Sequence, residues 1–294
     1  MMVLWIPLLL ACSGAEPPPA PPAAAAPLDV RTTSFPVDWL VRRLAPPGTV
    51  VTLILPAGED PPDWQPPGPT VEALQRADLI VAQGAGYEAW MSTSLLPEDR
   101  VVRAAAGLPL IELGGGSHQH GSGAPHTHAG LDPHVWADPQ AYLQEAAVVA
   151  QALRDRRPAE APGVSQREAA LKQRLLALDA ELAAAWGPFA GLPLSASHPA
   201  FNYVARRYGL NIQSFGFDPA VPPSAEALAE WVAWSAGGGR HLLWEASPSP
   251  AVMAAFPPST VHVVLDPLEQ PAGPRYDYLQ QSAENVVQIG KIAR

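Results

Sequence analysis

The sequence has 294 residues, of which 48% are hydrophobic and 16% charged, so it can build a substantial core and wholesale disorder is excluded. Eighteen basic and 28 acidic residues give a net charge of −10, which argues against a nucleic-acid binder and favours a cationic ligand. The single Cys excludes both an intrachain disulfide and a Cys-rich zinc site. A chain of this length is typical of about two domains.

The N-terminal residues have the pattern of an export signal. The apolar run 1–11 is shorter than the roughly 20 residues that a membrane-spanning helix needs, but it fits the apolar part of a secretory signal. The segment that ends at Cys12 is similar to a bacterial lipobox, although no Lys or Arg precedes the run. We expect residues 1–12 to be a signal peptide ending at a lipidated Cys12, with an ordinary secretory signal as the alternative. Residues 13–27, rich in Pro and Ala, predict an extended tether, which implies a protein anchored in the cell envelope, facing the periplasm.

Short apolar runs alternate with helical patterns in the first half of the chain. The runs 50–55 and 77–82 are almost entirely apolar, as is typical of strands buried in a parallel sheet. Asp138 and Pro139 have the residue types of a helix N-cap and first turn, and an apolar face follows them. The patterns predict strands at 28–33, 50–55, 77–82 and 101–104, and helices at 71–76 and from 139 onward.

The second half of the chain repeats this alternation after one long helix. Residues 165–186 contain no Gly or Pro, and their apolar side chains recur at helical spacing: Leu171, Leu175, Leu178, Leu182 and Trp186. Further strands are predicted at 192–197, 211–215, 241–245 and 261–265, and helices at 199–208, 224–236 and 276–292. The alternation predicts an α/β fold of two small lobes with mainly parallel sheets, an N-terminal lobe at 28–164 and a C-terminal lobe at 188–294.

Four of the eight His residues stand in the Gly- and Ser-rich segment 114–130: His118, His120, His126 and His128. Imidazole is a good ligand for zinc, copper and nickel. The segment lacks apolar side chains that would order it, so we expect a loop that gathers metal, with a polar loop of no function as the alternative.

Three further residues have the chemistry of a metal site. His134 precedes the helix capped by Asp138, while His198 and Asp266 each follow a predicted buried strand and precede a Pro. Ligands of α/β sheets bind outside the carboxyl ends of the strands. The three side chains can therefore meet in one crevice, where two imidazoles and a carboxylate would suit Zn²⁺.

The segments DPHVWADP, SHPAFNYVARRYGL and LDPL occur in this order and carry a family resemblance. The chain resembles the metal-binding solute receptors of bacterial ABC importers, of the zinc-uptake type also called TroA-like or ZnuA-like, across residues 28–292. The resemblance implies that one long rigid helix, here 165–187, joins the lobes and that the metal binds between them. It assigns His134, His198 and Asp266 as ligands, and it implies a monomeric receptor that works with an ABC permease. His at position 198 resembles zinc-type members, since manganese-type relatives have Glu there, so Zn²⁺ is favoured over Mn²⁺.

The chain departs from the family pattern at the first ligand. The family usually has His in a segment like DPHDWEP, whereas this chain reads DPPDWQP and has Pro62 at that position. The site then has three protein ligands and a water, or it recruits a further donor. The candidates are Asp63, Asp60, Glu59, Glu245 and a His of the 114–130 loop.

Two other functions compete with the zinc receptor. A His2Asp site with an open position could activate water in a zinc-dependent hydrolase. However, the sequence has no HExxH motif and no general base indicated by spacing, so we expect no enzyme. A surface zinc buffer or adhesin-like lipoprotein that works without a transporter is the third interpretation.

Overall fold

The structure is a computed structural model that describes residues 26–59, 61–113, 117–118, 126–127, 130–271, 273 and 276–292, with the backbone alone for 117–118 and 126–127. Two four-stranded parallel sheets form its framework. The strands are β1 (Asp29–Thr32), β2 (Val50–Leu53), β3 (Leu79–Ala82), β4 (Val101–Arg103), β5 (Glu112–Leu113), β6 (Ser117–His118), β7 (His126–Thr127), β8 (Gly130–Leu131), β9 (Pro193–Ala196), β10 (Asn211–Ser214), β11 (His241–Trp244) and β12 (Val261–Val264). The helices are α1 (Phe35–Leu44), α2 (Gly68–Arg76), α3 (Pro139–Arg156), α4 (Ala161–Trp186), α5 (Asn202–Tyr208), α6 (Ala225–Ser235), α7 (Pro250–Ala255) and α8 (Tyr278–Ile292).

The first sheet has the strand order β2-β1-β3-β4 and forms the first lobe (residues 28–156). Alternate side chains of a strand point to opposite faces. Leu79 and Val81 of β3 therefore enter the main core with α1 and α3, while Ile80 packs on the other face against Leu74 of α2. Because both faces are covered, all four residues of β3 are buried, which explains the continuous apolar run in the sequence.

The second sheet has the order β10-β9-β11-β12 and forms the second lobe (residues 193–271 with α8). Leu243 of β11 faces the main core, whereas Leu242 and Trp244 face a second aromatic cluster with Trp231 and Phe256. The two lobes thus follow the same construction rule, and the α/β fold predicted from the alternation is confirmed.

Helix α4 runs alongside both lobes. Its 26 residues span about 39 Å at 1.5 Å per residue. It packs against α3 of the first lobe and against α8 of the second. The side chains that it buries form one stripe and belong to a core cluster that continues through both lobes: Val164, Leu171, Leu175, Leu178, Leu182 and Trp186. The lobes therefore share a single apolar core along this helix.

Several element boundaries differ from the predictions. Helices α1 and α7 were not predicted, and α4 begins at Ala161 because Pro162 is tolerated in the first helical turn. The predicted helix 199–208 starts as a 3-10 turn and becomes α5 at Asn202. It ends as expected before Gly209, whose φ of 66° is the left-handed conformation that favours glycine.

Hydrogen bonds also cross directly between the lobes. Trp136 Nε1 donates to the carbonyl of Pro267 at 2.9 Å, and the hydroxyl of Tyr278 donates to the carbonyl of Trp136 at 2.6 Å. Between the loops at the strand ends, Gln270 Nε2 donates to the carbonyl of Glu59 at 3.0 Å. These contacts close the lobes onto each other at the end where the candidate site lies.

Asp179 connects α4 by hydrogen bonds to one helix of each lobe. Its carboxylate accepts hydrogen bonds from Gln140 Nε2 of α3 at 2.8 Å and from Arg207 Nε and Nη2 of α5 at 2.9 and 2.5 Å. Burial alone would raise the pKa of Asp179, but the hydrogen bonds from Arg207 and Gln140 outweigh it and lower the pKa below the usual value.

We expect Asp179→Asn to lower the free energy of unfolding by about 2 kcal/mol, since it weakens a charge-assisted network. A carboxyl group with a lowered folded pKa stabilises the fold above its unfolded pKa and loses that contribution as the pH falls through the folded pKa. The difference between parent and variant should therefore begin to shrink near pH 4, the ordinary pKa of an Asp side chain, and vanish only below the lowered pKa of folded Asp179. Urea unfolding of the metal-free protein across the acid range checks this. Glu181→Gln, an exposed change on the same helix, should leave the profile unaltered.

Candidate metal centre

Two buried His residues from different lobes face each other where the lobes meet. His134 of the first lobe precedes the 3-10 turn Val135–Ala137 that leads into α3. His198 of the second lobe follows the carboxyl end of β9. Their side chains are only 3% and 4% exposed, and their ring centroids lie 5.7 Å apart at an interplanar angle of 80°. The sequence analysis expected these two residues to share a crevice, and the structure brings them together.

The turn after His134 is set by its neighbours. The side chain of Asp138 accepts hydrogen bonds from the backbone N–H groups of Gln140 and Ala141, so it caps α3 as the sequence predicts. Trp136 lies with its ring 5.3 Å from that of His134 and packs against Tyr87. A capped helix and a buried indole thus hold the segment that carries His134.

A carboxylate lies close to each imidazole, that of the fully buried Asp132 beside His134 and that of the half-buried Glu245 beside His198. Asp132 Oδ1 is 2.7 Å from Nδ1 of His134 and accepts a hydrogen bond from its backbone N–H at 2.9 Å. Glu245 Oε2 lies 3.0 Å from Nδ1 of His198. At His134 the hydrogen-bonded Asp132 carboxylate fixes the ring orientation and leaves Nε2 as the nitrogen that would bind a metal. At His198 the charge of Glu245 lies near Nδ1, which likewise leaves Nε2 for a metal.

The electrostatic surroundings of His134 favour positive charge. Burial alone would lower its pKa, but the charge and hydrogen bond of Asp132, with the charges of Glu269 and Glu245, outweigh burial and raise the pKa of His134 to about 9. The same negative field would stabilise a metal cation that replaces the proton.

Asp266, the third expected ligand, is held by residues of its own lobe. Its Oδ1 accepts hydrogen bonds from the backbone N–H of Leu268 and from the hydroxyl of Tyr276, both at 2.7 Å, and Asn285 binds its backbone. Burial raises the pKa of Asp266. These contacts stabilise the turn in which Leu268 takes a φ of 62° and after which Glu269 follows.

Glu269 is a carboxylate that the sequence analysis did not select. Its Oε1 accepts a hydrogen bond from the hydroxyl of Tyr87 of the first lobe at 2.5 Å. Its charge acts on His134, as described above. The signal in the sequence was its position three residues after Asp266, in the same loop at a strand's carboxyl end. Among the described residues, no three His, Cys, Asp or Glu side chains already stand as a preformed metal-binding group.

The remaining candidate donors are on the loop after β2 and in the segment 114–130. Glu59 and Asp63 are exposed on the loop after β2, and Trp64 of that loop packs edge-on against Trp90. Asp60, Cys12, His120 and His128 lie outside the described residues. For His118 and His126 the backbone places them opposite each other in the antiparallel pair β6–β7. No helix in the described part of the chain is long and apolar enough to cross a membrane.

The family model for ZnuA, the periplasmic component A of the zinc-uptake complex, matches residues 30–292. The chain belongs to this family. It is 29% identical over 230 residues to the zinc-binding lipoprotein AdcA of Streptococcus pneumoniae serotype 4. The aligned region covers 76% of this chain and 44% of AdcA. It is 24% identical over 230 residues to the high-affinity zinc uptake system protein ZnuA of Bacillus subtilis strain 168. The aligned region covers 76% of this chain and 72% of that protein. The chain spans less than half the length of the AdcA relatives that it matches.

Solved structures have the same fold. The metal-dependent lipoprotein YcdH from Bacillus subtilis matches with a TM-score of 0.78 at 22% identity, over 90% of this chain and 98% of that chain. Zn(II)-bound AdcA from Streptococcus pneumoniae matches with a TM-score of 0.75 at 23% identity, over 90% and 57%. Two parallel sheets joined by a long helix are therefore the architecture of this group, and the resemblance stated from the motifs is confirmed.

The raised pKa of His134 predicts a pH-dependent stability of the metal-free protein. A His with a folded pKa above its unfolded value stabilises the fold fully below the unfolded pKa, and the contribution is lost as the pH rises through the folded pKa. Stability should therefore fall between pH 6.5 and about 9, by up to about 3 kcal/mol. Asp132→Asn should reduce this loss of unfolding free energy with rising pH, as measured by urea unfolding in the presence of a chelator. Asp155→Asn, an exposed change on α3, should retain it, and a parent profile without the fall would contradict the prediction.

Proposed function

We propose that this chain is the extracytoplasmic zinc receptor of an ABC-type importer. The observation that carries the proposal is the pair His134 and His198, buried 5.7 Å apart between the lobes with a carboxylate at each Nδ1. Membership of the ZnuA family supports uptake rather than catalysis. In this proposal the two Nε2 atoms bind the ion, and the lobes hold it until a membrane permease accepts it.

The donor types favour Zn²⁺. Imidazole nitrogens suit zinc, whereas an oxygen-rich set suits manganese, and the Irving–Williams order also ranks Zn²⁺ above Mn²⁺. We propose Glu269 as the carboxylate ligand, because its side chain reaches Tyr87 of the first lobe and its charge acts on His134, whereas Oδ1 of Asp266 is engaged by Leu268 and Tyr276. Asp266, which the family resemblance assigns, is the alternative ligand through Oδ2. A water would complete the tetrahedral coordination that zinc prefers.

We propose that export and lipidation at Cys12 hold the receptor at the membrane, where it meets its permease. The names of the relatives support this, since AdcA of Streptococcus pneumoniae is a zinc-binding lipoprotein. Labelling of growing cells with a lipid precursor would show a Cys12-dependent band if the anchor is present, and Cys12→Ala would release the protein from the membrane fraction.

We expect His134→Ala and His198→Ala each to raise the Kd for Zn²⁺ by at least about 100-fold, or about 2.7 kcal/mol, because each removes one of the two imidazoles that the described residues bring together. Competition against a chromophoric zinc chelator at constant pH measures this. His241→Ala is the matched control, since this half-buried His packs against Phe189 away from the pair and should bind zinc like the parent. Parent-like zinc binding by both His134→Ala and His198→Ala would contradict the proposal.

The assignment of the carboxylate ligand has its own test. Glu269→Gln keeps the size of the side chain and removes its charge, and we expect it to raise the Kd for Zn²⁺ at least about tenfold, or about 1.4 kcal/mol. Asp266→Asn should mainly lower the unfolding stability, because Asp266 holds the turn before Glu269. The reverse order of effects on affinity would return the ligand role to Asp266.

A further inference from the structure

Asp132 is the side chain on which the orientation of His134 depends. It follows β8, is fully buried, and directs Oδ1 at both the ring and the backbone N–H of His134. Because both of these contacts use Oδ1, the position of the ring depends on what holds the rest of the Asp132 side chain.

The other oxygen of Asp132 is held from the opposite lobe. Asn202 Nδ2, at the start of α5, donates to Asp132 Oδ2 at 3.0 Å. The next residue, Tyr203, donates its hydroxyl to the backbone carbonyl of Asp132 at 3.0 Å and accepts from the N–H of Ile111 at 3.2 Å. Asp132 is therefore fixed by its side chain and by its backbone, and both contacts come from α5.

Asn202 stands four residues after His198, across a single 3-10 turn (Pro199–Phe201). One short segment of the second lobe thus carries one imidazole of the pair and also fixes the carboxylate behind the other. The chain His134–Asp132–Asn202 joins the two imidazole segments by hydrogen bonds that need no metal ion.

Both oxygens of the buried Asp132 carboxylate have a hydrogen-bond partner, Oδ1 at His134 and Oδ2 at Asn202. A buried carboxylate needs donors at both oxygens, since an ionised group without partners is costly to bury. Removal of the amide of Asn202 would leave Oδ2 without the donor that it has here.

We propose that Asn202 is a positioning residue for zinc capture, which fixes His134 through Asp132 so that the two imidazoles are set for the ion before it arrives. The inference rests on the proposed function. Without Asn202 the Asp132 carboxyl group can rotate and His134 loses its fixed orientation, so part of the binding free energy is spent on ordering the site. Outer partners of metal-ligating His residues typically contribute 10- to 100-fold in metal affinity.

The alternative is that Asn202 only fastens α5 to the first lobe. Arg206 supplies a matched control, because its Nη1 also crosses from α5 to the first lobe and donates to the carbonyl of Pro109 at 2.6 Å. Arg206→Gln weakens a crossing contact of the same helix and removes no hydrogen bond to Asp132, although the Arg206 guanidinium also lies 4.6 Å from the centroid of the Tyr203 ring. A fastening role predicts equal effects of the two changes, whereas a positioning role predicts an effect of Asn202 alone.

The experiment compares zinc affinity and zinc release in the full chain. Asn202→Leu removes the donor at similar size, and Asn202→Ser provides a second variant that shortens the side chain. Zn²⁺ titration against a competing chelator should show a Kd raised at least tenfold in both, and a chelator chase should show a faster release of the ion. Arg206→Gln should match the parent in both measurements. The thermal midpoint of each metal-free variant, measured alongside, reports any loss of fold.

A double-mutant cycle tests the route through Asp132. If Asn202 acts only through that carboxylate, Asp132→Asn with Asn202→Leu should bind zinc no more weakly than Asp132→Asn alone. Additive effects would overturn the route. Parent-like binding by the folded Asn202 variants, or equal weakening by Arg206→Gln, would overturn the positioning role while leaving the zinc receptor in place. A parent chain that does not bind Zn²⁺ tightly would overturn the proposed function itself.

Discussion

The position of α4 beside both lobes is the constraint on which the rest of the structure depends. A helix of 26 residues cannot bend freely when its apolar stripe is buried along its whole length. It packs on α3, which follows His134, and its Asp179 binds Arg207 of α5, which follows His198. The spacing of the two imidazoles is therefore set by helices packed on a common support, and sub-ångström placement of metal donors needs this kind of rigid backing.

Negative charge accumulates around the two imidazoles. Asp132 and Glu245 each lie against an Nδ1, and the charge of Glu269 also reaches His134. Such a field is costly in a buried place unless a positive group balances it. The raised pKa of His134 favours a balancing proton on its ring in the metal-free protein, and a divalent cation would supply the balance on binding. Release of protons on metal uptake follows from this exchange.

The loop after β2 has Pro62 where the family usually has His. Two contacts flank this position, the edge-on packing of Trp64 against Trp90 and the hydrogen bond from Gln270 to the carbonyl of Glu59. A carboxylate at Glu269, next to Gln270, can then supply the donor that the first lobe lacks. The second lobe would contribute two of three protein ligands, and the first lobe one.

The sequence by itself determined the α/β alternation, the long helix, the cap at Asp138 and the two buried His residues, because each depends on local spacing or on a short motif. Only the tertiary structure shows that Leu268 and Tyr276 engage Oδ1 of Asp266 while Glu269 bonds to Tyr87 of the first lobe, since both carboxylates follow the same strand. It alone joined Asn202 to Asp132, which are far apart in the chain. Hydrogen bonds between distant side chains depend on how the lobes pack, and no local pattern in the residues encodes that packing.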